Sequence, residues 1–276
     1  MLIERLVWPH GKVCAAMLSV NLDAEFFGRI YYPDVDVDSG DILSLGRTGM
    51  NFGLRHLLDA FDQAGVKATF FIPGENAEHY PEIVKQIHAR GHEIAYHGYH
   101  HYDRPVGDER DNLARCEKIF ADLGCDRPYG YRPTEAEFTD ELAQILLDRG
   151  YEYVSYRGNF DGPQVVELNG KKVPLVDLEA DVFFDDTAYD YYIDSPPCRY
   201  GIATAKEQCK IWQDEFDGMA LEGGRVMDFV IHPQFMGRAA RVNALAELIG
   251  YMRSRGAWIT TNREIARYVL QQEGLL

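Results

Sequence analysis

The sequence predicts an α/β fold on a parallel sheet, and two observations carry that prediction. Amphipathic segments that end at a glycine and pass directly into a β-rich run recur along most of the chain. The first β-rich run, Ala15-Ala16-Met17-Leu18-Ser19-Val20-Asn21-Leu22, is mostly apolar, as a strand buried on both faces of a parallel sheet should be. Such alternation fits a sheet rolled into a barrel or one doubly wound.

Taken in order, the strand at Ala15 to Leu22 delivers Asp23-Ala24-Glu25 at its carboxyl end. From Phe26 to Met50 the chain is rich in Gly, Asp and aromatic residues with no steady period. A connection of about 25 residues is longer than most and predicts a functional loop over the site. Four helix, glycine and strand units follow: Leu54 to Ala64, Gly65, then Lys67 to Ile72; Pro81 to Arg90, Gly91, then Glu93 to Tyr96; Thr139 to Arg149, Gly150, then Tyr151 to Ser155; and Arg241 to Arg255, Gly256, then Trp258 to Thr261. Each glycine suits the left-handed residue just past a helix end, with Arg or Lys near the carbonyl end. Pro81 belongs in a first helical turn, and Thr139-Asp140-Glu141 reads as an acidic, capped start. Between Asn159 and Tyr200 the rhythm breaks. Val165 to Val176 reads as a hairpin turning at Asn169-Gly170, and Phe183 to Tyr192 as an aromatic, acidic loop in which Asp185-Asp186 is a solvated turn.

The length, 276 residues, fits one domain over 1–276, and 46% hydrophobic with 26% charged residues supports a sizeable core. A formal net charge of -16 excludes nucleic acid or an anionic membrane as partner, since either needs clustered Lys and Arg. The five cysteines, Cys14, Cys116, Cys125, Cys198 and Cys209, are odd in number and form no CxxC pair, which predicts reduced thiols in a cytoplasmic protein. Met1 to Pro9 lacks a basic region leading into a long apolar core, and nowhere do about 18 apolar residues run together, so neither export nor a membrane span is expected.

The chemistry gathers where parallel α/β folds place it, at the carboxyl ends of strands. Asp23 and Glu25 follow the first strand, His97 and His101 follow Glu93 to Tyr96, Arg132 follows Tyr129 to Tyr131, and His232 follows Val226 to Ile231. His97 and His101 are spaced so that both imidazoles reach one centre on a helical turn or a tight loop. One carboxylate with two histidines leaves coordination positions open, as a hydrolytic ion requires, and no cysteine cluster closes a structural site.

These residues resemble the polysaccharide deacetylases with the NodB homology domain, carbohydrate esterase family 4. Ser19-Val20-Asn21-Leu22-Asp23-Ala24-Glu25 is similar to the first motif, His97-Gly98-Tyr99-His100-His101 to the second, Gly130-Tyr131-Arg132-Pro133 to the third, and Ile231-His232-Pro233-Gln234-Phe235-Met236-Gly237-Arg238 to the last. The form with Asp-Ala-Glu and His-Pro-Gln resembles a subgroup of peptidoglycan deacetylase-like proteins, cyclic imide hydrolases and an allantoinase branch. The resemblance implies a distorted (β/α)7 barrel with extra loops and a small hairpin, a cytoplasmic location and a homotetramer. It also implies metal ligands at Asp23, His97 and His101.

The family's catalytic base is an aspartate two residues before the metal-binding one, and here that position is Asn21. An amide has no usable basicity near neutral pH. Glu25 replaces it if extended geometry keeps it on Asp23's face; otherwise the metal and His232 handle the proton while Asn21 orients the water, or the protein binds without turnover. His232 is the expected general acid, Arg132 orders a carboxylate such as Asp23 or Glu25 or holds substrate, Tyr99 lines the substrate pocket, and His100 is structural. Phe26-Phe27, Tyr31-Tyr32 and Phe183-Phe184 wall a pocket or an oligomer contact. The expected function is metal-dependent hydrolysis of a non-peptide carbon-nitrogen bond in a small amide or cyclic imide, with one divalent ion, zinc before cobalt, nickel or iron. The alternatives are an N-deacetylase of acetylated sugars or peptidoglycan fragments and a binding protein disabled at Asn21.

Overall fold

The computed structural model describes residues 6–27, 40–101, 108–134, 137–156, 162–190 and 202–276. Their strands form one sheet: β1 (Cys14–Asn21), β2 (Thr69–Ile72), β3 (Glu93–Tyr96), β4 (Gly130–Tyr131), β5 (Tyr153–Val154), β6 (Gln164–Leu168), β7 (Lys171–Asp177), β8 (Arg225–Ile231) and β9 (Trp258–Thr260). The order is β6-β7-β5-β4-β3-β2-β1-β8, with β9 on β1. Every pair is parallel except the β6/β7 hairpin. The parallel strands from β7 round to β8 curl into a half-barrel of the distorted NodB type.

The helices are α1 (Gly40–Thr48), α2 (Leu54–Ala64), α3 (Gly74–His79), α4 (Pro81–Ala89), α5 (Glu109–Asp122), α6 (Asp140–Asp148), α7 (Thr187–Asp190), α8 (Ala205–Glu222), α9 (Ala239–Ser254) and α10 (Asn262–Gln272). Alternation along β1 explains the layers. Cys14, Ala16, Leu18 and Val20 join the large apolar cluster under the outer helices, whereas Ala15 and Met17 point into the barrel against Ile265, Ala266 and Val269 of α10. The same inward face continues upward as Ser19, Asn21 and then Asp23, so the barrel is apolar at its base and polar at its mouth. Among the described residues no helix is long and apolar enough to cross a membrane.

One expectation is corrected. The stretch before Leu54 is not all loop: α1 runs through a π-helical turn, Gly49–Gly53, into α2. Its glycines looked loop-like but serve close approach, since a Cβ on Gly46 would stand 2.1 Å from the Ala24 carbonyl oxygen and one on Gly53 2.0 Å from that of Pro233. The expected hairpin is present as β6 and β7, and β7 also pairs in parallel with β5 and completes the curl. Its turn does form at Asn169 and Gly170, both with positive φ, 51° and 72°.

Candidate metal centre

Asp23, His97 and His101 converge at the barrel mouth, with candidate donor atoms all within 4.8 Å of one another. His97 Nδ1 bonds the Arg132 carbonyl oxygen at 2.7 Å. A carbonyl only accepts, so that nitrogen carries the proton, and in the neutral ring Nε2 presents a lone pair. This lone pair faces Asp23 Oδ1 at 3.4 Å, and neither atom has a hydrogen-bond partner although both are buried. His101 Nε2 stands 4.0 Å from the same Oδ1, its ring perpendicular to that of His97. Two buried acceptors facing each other without a proton are the arrangement a cation relieves, and the donor set fits a divalent ion. Burial takes His101 down to about 4, against the pull of Asp23, so its ring is neutral and ready to donate a lone pair near neutral pH. Burial pushes Asp23 up, but His101, His232 and His97 outweigh it and hold its carboxyl well below the usual range.

Local structure sets this geometry. Ala24 has φ 50°, so the chain turns sharply after Asp23. Asn76 of α3 clamps the turn, its Nδ2 donating to the carbonyls of Leu22 at 2.7 Å and Asp23 at 2.9 Å. The first turn of α3 also holds the histidine loop through Gly74 N to Gly98 O and Glu75 N to Tyr99 O. One short helix thus spaces the carboxylate from the imidazoles.

His232 stands beside the triad, its Nε2 3.3 Å from Asp23 Oδ2. Its Nδ1 donates to Asp186 Oδ1 at 2.6 Å and its backbone N–H to Asp186 Oδ2 at 2.7 Å. Asp186 is fully buried, which corrects the reading of Asp185-Asp186 as a solvated turn. The reason is the bridge from Asp185 to Val230 that draws this segment against β8, a contact no local pattern announces. Burial lowers the basicity of His232, but the Asp186 and Asp23 carboxylates raise it well above the usual imidazole value; burial raises Asp186, with His232 opposing.

Asn21 Oδ1 accepts from Arg132 Nη1 at 2.8 Å, and Asn21 Nδ2 lies 3.5 Å from His232 Nε2. Arg132 does not order Asp23 or Glu25 as expected. Its guanidinium pairs with Asp228 inside the barrel and bonds Ser155 Oγ. Burial raises the Asp228 carboxyl above its ordinary range, against the pull of Arg132, Ser19 and Asn262.

Glu25 is a further correction. Extended geometry ends at Ala24, so Glu25 turns outward to the Tyr80 hydroxyl at 2.6 Å and Arg47 at 3.3 Å. Tyr99 is another: its hydroxyl donates to Glu78 at 2.7 Å, Arg115 covers its ring, and it packs in the core under α3 and α5. His100 pairs with Glu75, away from the centre. Phe27 packs edge-on against His232 and Phe235, and Phe26 against His100, whereas Phe183 is exposed. Tyr31 and Tyr32 lie outside the described residues.

A parallel half-barrel with a carboxylate and two imidazoles gathered at its mouth defines a metal-dependent hydrolase. The polysaccharide deacetylase family pattern matches residues 47–154. The peptidoglycan deacetylase of Helicobacter pylori strain 26695 is 27% identical over 258 residues, covering 83% of this chain and 87% of that protein. The crystal structure of a Mycobacterium smegmatis protein, provisionally assigned as a polysaccharide deacetylase, superposes with a TM-score of 0.88 at 28% identity, covering 98% of this chain and 94% of that one. A PuuE allantoinase shares the fold, with a TM-score of 0.79 at 21% identity over 96% of this chain and 92% of that one. The chain is thus similar to polysaccharide deacetylases in sequence over residues 47–154 and in fold over nearly its whole length.

Proposed function

We propose that this protein is a metal-dependent N-deacetylase of acetylated amino sugars of the peptidoglycan type, with Asp23, His97 and His101 as the ligands and His232 as the proton-transfer residue. The observation that carries the reading is the pair of unpartnered acceptors, His97 Nε2 and Asp23 Oδ1, with His232 Nε2 3.3 Å from the other oxygen of the same carboxylate. A divalent ion held there supplies Lewis acidity, polarising the acetyl carbonyl and acidifying water. Zinc is our assignment, since an aspartate and two histidines suit it.

The chain's own residues then handle protons. Glu25, turned outward to Tyr80 and Arg47, has no part in the proton transfer of this proposal. An ion held by Asp23 would cancel that carboxylate's pull on His232, so that Nε2 would take the proton of the attacking water and return it to the departing nitrogen, with Asp186 behind Nδ1 steadying the imidazolium between the two transfers. Asn21 presents an amide N–H group on the same side and helps to orient the water. The free thiols of Cys14, Cys116, Cys125 and Cys209 support a cytoplasmic setting within this proposal, and the homotetramer is checked by sedimentation.

The test is acetate release from chitooligosaccharides and peptidoglycan fragments by zinc- or cobalt-loaded protein, with His97→Ala as control. Release above the control is expected, and none would overturn the reading. A second reading, hydrolysis of a small amide or cyclic imide, is favoured by the depth of the site: Asp23 and His97 are each 2% exposed, and Phe27 and Phe235 crowd His232. Turnover of a cyclic imide panel without acetate release would put that reading first. Turnover of either substrate by the wild type removes the binding-protein reading that Asn21 suggests.

A further inference from the structure

We infer that Asp228 is a positioning residue of this site: it supplies the negative charge that holds the Arg132 guanidinium beneath Asn21, leaving position 21 to a neutral amide whose NH2 group is turned to His232. The functional consequence rests on the role proposed for His232, but the charge arrangement itself does not.

Asp228 and Arg132 face each other inside the barrel, 2% and 4% exposed. The guanidinium also lies over the Phe71 ring, 3.9 Å from its centroid, and bonds the neutral oxygens of Asn21 and Ser155. Asp228 is therefore the charged member among these three partners. Its own carboxylate accepts from the Ser19 hydroxyl and from Asn262 Nδ2 at 3.4 Å, which fixes its plane. β1 and β8 are in parallel register with Met17 opposite Asp228, so Asp228 sits deeper in the barrel than Asn21 and on the strand that leads into His232.

Donor chemistry then transmits the position. A guanidinium has only donors, so Asn21 must offer Arg132 its Oδ1, and the planar amide turns Nδ2 the other way, where His232 Nε2 lies at 3.5 Å. Inverting the amide would set NH2 against the guanidinium. The peptide oxygen of Arg132 meanwhile holds His97 Nδ1, so a shifted Arg132 disturbs both a metal ligand and the proton-transfer residue. Among the contacts described, the Arg132 guanidinium meets the Asp228 carboxylate in a dry interior. A carboxylate at both 21 and 228 leaves an excess negative charge, and one at neither leaves the guanidinium uncompensated, each destabilising.

The experiment is a double-mutant cycle of Asp228→Asn, Asn21→Asp and the double variant in the full chain, read by thermal unfolding midpoint and by kcat and KM. Each single change is expected to lower the midpoint by several degrees, and the double variant to recover at least half of the Asp228→Asn loss, because a carboxylate again faces Arg132. Additive midpoints would overturn the inference. Should Asp228→Asn fail to fold, Asn21→Asp alone decides: a midpoint unchanged or raised beside the native Asp228 refutes it, and a lowered one supports it. Asp228→Asn should lower kcat about tenfold or more with KM within about twofold, the value of misaiming one hydrogen bond to a charged group; an unchanged kcat contradicts the positioning role. Were the wild type to release no acetate, the proposed function would fall while the midpoints still judged the charge arrangement.

Discussion

Two clusters at the mouth of the barrel hold nearly the same donors and are filled differently. Asp23, His97 and His101 form one, and Asp185, Asp186 and His232 the other; in each the candidate atoms lie within 4.8 Å of one another. In the second, protons occupy the contacts: His232 gives Asp186 its Nδ1–H and its backbone N–H, while Asp185 Oδ1 accepts the N–H and hydroxyl of Thr187 at 2.9 and 2.6 Å. In the first, the proton of His97 is committed to the Arg132 carbonyl on the far side of the ring, and the inner atoms face each other bare. Donor type and distance are therefore insufficient to mark a cation site. Where the hydrogens are already placed decides whether a cluster holds a metal or relays a proton.

Four substitutions sharpen that contrast. The largest effect is expected from His97→Ala, which should empty the first cluster, seen as loss of bound metal by elemental analysis and activity at background; retained metal would break the distinction. His232→Ala should keep the metal but lower kcat by about 10²- to 10⁴-fold, the usual value of a general acid-base group, measured in steady-state kinetics. Asp186→Asn should lower kcat by about 10- to 100-fold, one hydrogen bond to a charged partner, again at full metal content. If it released the metal instead, the two clusters would not be separable. Glu25→Gln should leave kcat within about twofold and cost about 1 kcal/mol of stability in urea unfolding, as befits a carboxylate engaged with Tyr80 and Arg47.

Much of the architecture was readable because its signals are local. Gly65 and Gly150 follow helices as left-handed caps, and the Asn169-Gly170 turn appears where its dipeptide requires. That Asp23, His97 and His101 face one mouth was legible from strand ends and the spacing of the two histidines, while the family resemblance singled them out as ligands. What stayed hidden depended on contacts distant in sequence or on one backbone angle. Glu25 was misplaced because Ala24 adopts a left-handed φ that alanine seldom takes, and the Gly46 and Gly53 contacts depend on loops that the helix reaches only in three dimensions. Asp186 could not be read as a partner of His232, since 46 residues separate them. One available signal went unused: Thr204 and Glu207 form a capping box that announces α8.

The central claim, that bare facing acceptors rather than donor content locate the ion, is tested most directly by anomalous diffraction from cobalt-loaded crystals. The account predicts a single peak within bonding distance of Asp23, His97 and His101, and none between Asp186 and His232. A peak in the second cluster, or an empty first one at saturating cobalt, would contradict it.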